Sequence, residues 1–314
     1  MVSVNPAIGL ASPAPISERL WLSCSDLAAR ALACPFVSQL AAGKLRKLTF
    51  QHYIAQNAFY LAALAETYER AGTYIKDSEA KRLLWELREA VVLELGRYDG
   101  YANAWVIDLK DHPEPSEATK KYIDFLIRAT SRAQNVALPS AFREGETVAN
   151  RLKPLEVESC TYDEKSSRNG IELGDQSVDG FSDLLEKVER QATKVLDPKQ
   201  QTNHRNLMDQ RFSPKNCSAA KAVAALLPCM QLYAFLGREL SRGNDLEGHP
   251  YKDWITSHAS AEFQAASAKM ETILDSVCQQ DDSLEALLPV YREAMLLELN
   301  FFAGQPALLP AAPH

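Results

Sequence analysis

The sequence predicts an all-α protein: a single helical bundle interrupted by a long polar insertion. Three observations lead there. Apolar residues recur at the three- and four-residue spacing of one helix face, whereas the period-two alternation of a half-buried strand is hard to find. Ser, Thr or Asp stands ahead of most of these stripes, and Gly or Pro at several ends. A polar stretch from about 135 to 216, rich in Glu, Lys, Ser, Asn and Gln, mostly lacks either period.

Taken in order, Ser17 is placed to cap a helix running to about Ala33, and Pro35 opens a short turn of helix that Gly43 ends. Thr49 is placed to cap a long helix to about Ala71, stopped by Gly72, with Phe50, Tyr53, Ile54, Asn57, Tyr60, Leu61, Leu64 and Tyr68 on its apolar face. Asp77 or Ser78 starts a helix to about Trp105, and Ser116 starts one carrying Tyr122, Phe125, Leu126 and Ala129. After the insertion, Ser218 begins an Ala- and Leu-rich helix to about Leu240. It contains Pro228, where a kink would present the neighbouring Cys229. Two further helices are expected, from about Ser260 to Gln279 and from about Ser283 to Phe302.

The expected organisation is therefore a disordered lead-in over 1–16, one helical domain over 17–306, an insertion over 135–216 and a tail over 307–314. The insertion reads as largely disordered, apart from an amphipathic stretch between Phe181 and Leu196.

The chain has 314 residues, 46% hydrophobic and 24% charged, enough to bury a substantial core. Its formal charge of -7 argues against a basic nucleic-acid-binding face. No run of about 18 apolar residues suggests a membrane span. No Lys or Arg precedes Arg19, so the N-terminus lacks the basic region of a secretory signal and the Arg-rich character of a transit peptide. Cysteines at 24, 34, 160, 217, 229 and 278 show no CxxC spacing, so no metal site is indicated and reduced thiols in a cytoplasmic protein are expected.

Helical spacing puts several polar residues on faces that should be buried. Cys229 and Tyr233 are one turn apart. Glu298 lies in the stripe of Tyr291, Ala294 and Phe301, where a carboxylate is costly unless paired or neutralised. Patterning alone favours a satisfied structural carboxylate at Glu298, a small core residue at Cys229 and ordinary core aromatics at Tyr53, Tyr60, Tyr122 and Tyr233.

The segments FQHYIAQNAFYL (Phe50 to Leu61), ALLPCMQLYAFLGREL (Ala225 to Leu240), HPYKDWI (His249 to Ile255) and LLELNFF (Leu296 to Phe302) change that balance. Together they resemble the TenA family, also called thiaminase II, of the haem-oxygenase-like helical fold. In particular they resemble the TenA-like half of plant bifunctional proteins that join such a domain to a haloacid-dehalogenase-type phosphatase. The resemblance covers about residues 17–133 and 216–306.

It implies hydrolysis of aminopyrimidines formed when thiamin degrades, releasing hydroxymethylpyrimidine, and in some members cleavage of thiamin itself. It implies Cys229 as nucleophile and Glu298 as acid/base, with Tyr60, Tyr122, Tyr233 and Phe301 sandwiching or hydrogen-bonding the pyrimidine. Asn57 stands where the family usually has Asp, and His258 where it usually has Tyr; both are expected to touch substrate. An electron-poor ring stacks on aromatic faces, a thiolate adds to it, and a carboxylic acid protonates a ring nitrogen or the departing group.

The expected partners are a small-molecule aminopyrimidine or thiamin and further copies of the chain, with no cofactor, nucleic acid or membrane. Too little chain follows Phe302 to hold a phosphatase domain, so any such step is expected from another polypeptide or a longer gene product. Two other readings compete: a non-catalytic pyrimidine-binding or scaffold protein, favoured by Asn57 and His258, and haem binding through His52, which no further motif supports.

Overall fold

The computed structural model describes residues 14–96, 105, 114–131, 218–243, 246–278 and 282–306. Among these residues there are ten helices and no strand. They are α1 (Ile16–Leu22), α2 (Ser25–Ala33), α3 (Pro35–Ala41), α4 (Lys47–Gly72), α5 (Ser78–Gly96), α6 (Glu117–Ala129), α7 (Ala219–Gly243), α8 (Lys252–Ala259), α9 (Ala261–Val277) and α10 (Leu284–Ala303). The fold is all-α. The expectations for 1–13, for the 135–216 insertion with its Phe181–Leu196 helix, and for the tail after 306 lie outside the described residues.

The apolar stripe of α7 is nearly continuous, and from Val223 to Leu227 every residue is at most 1% exposed. By length and composition α7 could cross a membrane, but 83% of its apolar window is buried inside the fold, which marks a core helix. It packs against α8, α9 and α10, while α4 packs against α5 and α6, and α10 joins the two halves through α6 and α2. The helix runs unbroken through Pro228, whose missing N–H leaves the Ala224 carbonyl without its usual donor next to Cys229.

Capping explains five starts, among them those of α5 and α7, where Asp77 Oδ1 accepts from the Ala80 N–H at 2.7 Å and the Ser218 hydroxyl accepts from the Lys221 N–H at 3.2 Å. The Ser116, Ser260 and Ser283 side chains accept hydrogen bonds from the backbone N–H of Thr119, Phe263 and Ala286, at α6, α9 and α10. Gly43, with φ of 65°, follows α3 in the left-handed conformation that Gly adopts without strain.

Two expected caps do other work. Ser17 lies inside α1, where its N–H and hydroxyl donate to the two oxygens of Asp275 at 3.0 and 2.7 Å, pinning α1 to α9. Thr49 is buried inside α4, which starts two residues earlier. The single helix expected from Ser17 to Ala33 is divided into α1 and α2 by a turn at Ser23 and Cys24. The short α8 escaped the periodicity: in eight residues it buries only Trp254 and Ile255, and no side chain caps it.

What fixes α8 is a glycine. A Cβ on Gly237 of α7 would lie 2.4 Å from the His258 carbonyl carbon and 2.6 Å from the Ala259 nitrogen. Those neighbours are backbone, which cannot swing aside as a side-chain tip can. Gly237→Ala is therefore expected to cost at least about 2 kcal/mol of stability, the range of core overpacking, and to displace His258. Denaturant unfolding checks this, and an unchanged midpoint would mean that α8 shifts freely.

Candidate active site

Glu298 of α10 is 1% exposed, with Phe301 and Phe302 buried beside it. Its Oε1 accepts a hydrogen bond from the Tyr122 hydroxyl of α6 at 2.7 Å. Burial pushes its pKa from 4.5 up to about 7, and hydrogen bonds from Tyr122 and Cys229 moderate the rise. Near neutrality the group thus divides between acid and carboxylate.

Cys229 of α7 is half-buried as a residue, yet its sulfur is crowded enough that burial, followed by the Glu298 charge, pushes the thiol well above its ordinary range. The resting pair is therefore a thiol facing a carboxyl group. It is not a preformed thiolate.

Aromatic rings enclose the pair. The Tyr60 ring centroid lies 4.8 Å from that of Tyr122 and 6.1 Å from that of Phe301. The Tyr60 hydroxyl lies beside the Cys229 thiol and influences it, but it is buried and completes no hydrogen bond of normal geometry. On the other flank, the Tyr53 hydroxyl donates to the Tyr233 hydroxyl at 3.3 Å and accepts from Trp254 Nε1 at 3.1 Å.

Two buried glutamines fix the supporting helices. Gln56 Oε1 accepts from the Ser116 N–H and the Thr119 hydroxyl, both at 2.7 Å, and so seats the start of α6 and hence Tyr122. Gln231, two residues from Cys229, accepts from the Tyr291 hydroxyl and donates to Glu271, tying α7 to α10 and α9.

A cavity of about 60 Å³ adjoins this cluster, with Tyr53, Asn57, Glu94, Trp254 and His258 among its lining residues. His258 Nδ1 lies 2.7 Å from the Trp254 carbonyl. A carbonyl only accepts, so Nδ1 carries the proton. Burial pushes the imidazole pKa down to about 4, which leaves His258 neutral. An ordinary imidazole titrates near neutrality, and burial takes that property from His258. Its ring contacts are Trp254 at 4.3 Å, Phe263 at 4.9 Å and Tyr233 at 5.1 Å.

Cys229, Glu298, Tyr60, Tyr122 and Phe301 thus form one cluster, Asn57 and His258 line the adjoining cavity, and Tyr233 links the two through Tyr53. Sequence reasoning gave no role to Gln56 or Glu94 and treated Tyr53 as a core aromatic. Trp254 stood in a quoted segment without a role. The His52 Nδ1 lies 2.8 Å from Gln305 Oε1, so a residue just past the end of α10 occupies that ring nitrogen. Among the described residues, no group of three or more His, Cys, Asp or Glu side chains is arranged to hold a metal ion.

Known proteins resemble this chain in sequence and in fold. The chain is 29% identical to the bifunctional TH2 protein, mitochondrial, of Arabidopsis thaliana over 99% of its own length and 41% of that protein's. It is 24% identical to the thiamine biosynthesis multifunctional protein ThiED of Corynebacterium glutamicum over 95% of its own length and 28% of that protein's. It therefore spans less than half of each relative.

The fold matches the TenA homologue protein from P. horikoshii OT3 with a TM-score of 0.59 at 16% identity, covering 92% of this chain and 97% of that one. A TenA homologue from Pyrococcus furiosus matches with a TM-score of 0.59 at 14% identity, over 93% and 100%. The fold is that of the haem-oxygenase-like helical proteins. The model of the TENA/THI-4/PQQC family matches residues 25–165 and 182–306, well over half of the sequence, and the chain belongs to that family.

Proposed function

We propose that this protein hydrolyses aminopyrimidine breakdown products of thiamin to hydroxymethylpyrimidine, and that thiamin itself is a second candidate substrate. One observation carries the reading: the Cys229 thiol meets a carboxyl group whose pKa lies near 7 inside an aromatic enclosure. The ThiED relatives, named for thiamine biosynthesis, support the choice of pathway.

In this mechanism an electron-poor pyrimidine stacks among Tyr60, Tyr122 and Phe301. The ring offers the Tyr60 hydroxyl the partner it otherwise lacks. As sulfur adds to the ring, the thiol proton passes to the Glu298 carboxylate, which then protonates a ring nitrogen or the departing group. The carboxylate so regenerated takes a proton from water as the water oxygen adds to the carbon that the amine left, and cleavage of the ring–sulfur bond then restores the aromatic ring and, with that proton, the Cys229 thiol. Asn57 presents its amide oxygen to the substrate amino group, and neutral His258 offers Nε2 as an acceptor. Residence in the cytoplasm and assembly with further copies belong to the same proposal.

Incubating the purified protein with aminomethyl-pyrimidine and with thiamin tests it, product release being the readout. Asn57→Asp sharpens the test. A carboxylate there accepts the amino group in a charge-assisted bond roughly twice as strong as a neutral one. A gain of about 10-fold in kcat/KM, or about 1.4 kcal/mol, is expected. Because His258 is neutral, it offers the added charge no imidazolium partner.

The second reading, a non-catalytic pyrimidine-binding or scaffold protein, is favoured by the fully protonated resting thiol and the neutral Asn57. No turnover by wild type, Asn57→Asp, His258→Tyr or the double variant would leave that reading standing.

A further inference from the structure

The first turn of α6 is capped by two helices, and only one of them is its own. Ser116, the N-cap, accepts from the Thr119 N–H at 3.3 Å. In a capping box, a Glu or Gln at the position of Thr119 would reach back to the N-cap N–H. Here the Ser116 N–H turns to Gln56 Oε1 of α4 at 2.7 Å, and the Thr119 hydroxyl joins it there at 2.7 Å.

Proton directions close the set. An amide oxygen only accepts, so the Thr119 hydroxyl gives its proton to Gln56. The Ser116 hydroxyl, 2.9 Å from that of Thr119, then gives its own proton to Thr119. Both lines of donors end on the Gln56 oxygen. Gln56 is 2% exposed and Thr119 0%, so bulk water cannot stand in for a lost acceptor.

The same turn is held from another side. A Cβ on Gly304, just past α10, would lie 2.7 Å from the Ala118 Cβ. The tip of α6 is therefore fixed by hydrogen bonds to α4 and by close contact with the end of α10. One turn beyond Thr119, on the same face, Tyr122 donates to Glu298 Oε1 at 2.7 Å. Glu298 in turn meets the Cys229 thiol.

We infer that Gln56 is a positioning residue for the proposed hydrolysis: its amide oxygen fixes the first turn of α6, keeps the Tyr122 hydroxyl on Glu298, and so aims the carboxyl group at the Cys229 thiol. The inference deepens the proposed function and rests on the role assigned there to Glu298. Gln56 reaches the chemistry only through Tyr122.

The consequence is measurable on Glu298. The Tyr122 hydrogen bond favours the charged carboxylate and opposes the rise that burial causes, so loosening it sends the pKa higher still. Tyr53, Tyr60, Tyr122, Tyr233 and Cys229 all feel the Glu298 charge. Burial holds each above its ordinary range, so none of them titrates between about pH 5 and 9.

The test compares Gln56→Met, which keeps the length but not the acceptor, with Thr119→Val, which removes one donor, and Thr119→Ser, which keeps it. Difference infrared spectroscopy of the full chain follows the protonated Glu298 carboxyl band without substrate, and Glu298→Gln identifies the band. The midpoint is expected at about 7 in wild type. It should rise by about one pH unit in Gln56→Met, by less in Thr119→Val, and stay in place in Thr119→Ser. Tyr122→Phe should show the full rise, and adding Gln56→Met to it should change nothing further. On aminomethyl-pyrimidine the acid limb of kcat/KM should move with the band. The deficit of Gln56→Met is then about 5-fold at pH 7 and closes as pH passes about 9.

Circular dichroism checks each fold, and Thr119→Val carries the test if Gln56→Met does not fold. A lowered Tm with an unmoved Glu298 midpoint would make Gln56 a structural cap only and overturn the inference. Additive rises in the Gln56→Met, Tyr122→Phe double variant would overturn it too. A wild-type protein without turnover whose variants move the midpoint as expected would remove the hydrolase reading and leave the positioning of Glu298 standing. A working hydrolase whose acid limb ignores Gln56→Met would remove this inference alone.

Discussion

Cys229→Ser is expected to lower kcat on aminomethyl-pyrimidine by at least about 100-fold while the protein stays folded. The size follows from nucleophile chemistry. A hydroxyl in the same desolvated site, facing the same carboxyl group, is far harder to ionise than a thiol and a weaker nucleophile once ionised. The fold should tolerate the change because Cys229 is only half-buried and a serine hydroxyl finds ready partners in Tyr60 and Glu298.

The same geometry sets the reactivity of the free enzyme. With the thiol held well above its ordinary pKa, iodoacetamide should label Cys229 slowly at neutral pH, because attack needs the proton moved to Glu298 at the moment a substrate is in place. Circular dichroism and a thermal scan of the variant separate a lost nucleophile from a lost fold. Near-normal turnover in a folded Cys229→Ser would remove Cys229 from the chemistry.

Much of the fold was legible because it is local. The serines that cap α6, α9 and α10 sit one residue ahead of apolar stripes, and the 3.6-residue period needs no knowledge of partners. Where a residue's role is set by a distant neighbour, the same reasoning failed. Ser17 looks like a cap until Asp275, on a helix far along the chain, takes both its N–H and its hydroxyl.

The site divides in the same way. Glu298 stands out in sequence as a carboxylate inside an apolar stripe, but its partner Tyr122 is 176 residues away, and only packing brings the two within 2.7 Å. His258 carries an ordinary histidine pKa until Trp254, Phe263 and Tyr233 close around its ring. Glu94 could not be distinguished from Glu79 or Glu86 on the exposed side of α5. What singles it out is the cavity beside α4. The resemblance to TenA proteins supplied the pairing of Cys229 with Glu298, which no periodicity contains.

Glu298→Gln is expected to lower kcat by about 100-fold to 10⁴-fold, the range for a lost general acid–base, and to abolish the pH dependence that the carboxyl group imposes. In the wild-type enzyme the thiol proton needs an ionised Glu298 to receive it. The acid limb of kcat/KM should therefore fall as pH drops through about 7. His258, with a pKa of about 4, and Cys229, held well above its ordinary value, do not titrate in that window. The apparent value belongs to the coupled thiol–carboxyl pair.

Stability should move in the opposite sense. The folded state keeps the Glu298 proton up to about pH 7, whereas an unfolded chain releases it near 4.5, so between those values the folded state binds more protons. Stability from this group is complete below about pH 4.5 and is lost as pH rises through 7, by about 3 kcal/mol at most at 1.36 kcal/mol per pKa unit. Gln has no proton to lose and can still accept the Tyr122 hydrogen bond through its amide oxygen. The variant should therefore be inactive yet hold its stability better than wild type between about pH 5 and 8. Denaturant unfolding of both proteins across that range measures the difference. Parallel stability curves together with a wild-type rate flat from about pH 6 to 8 would mean that Glu298 is ionised throughout and serves only to hold Tyr122.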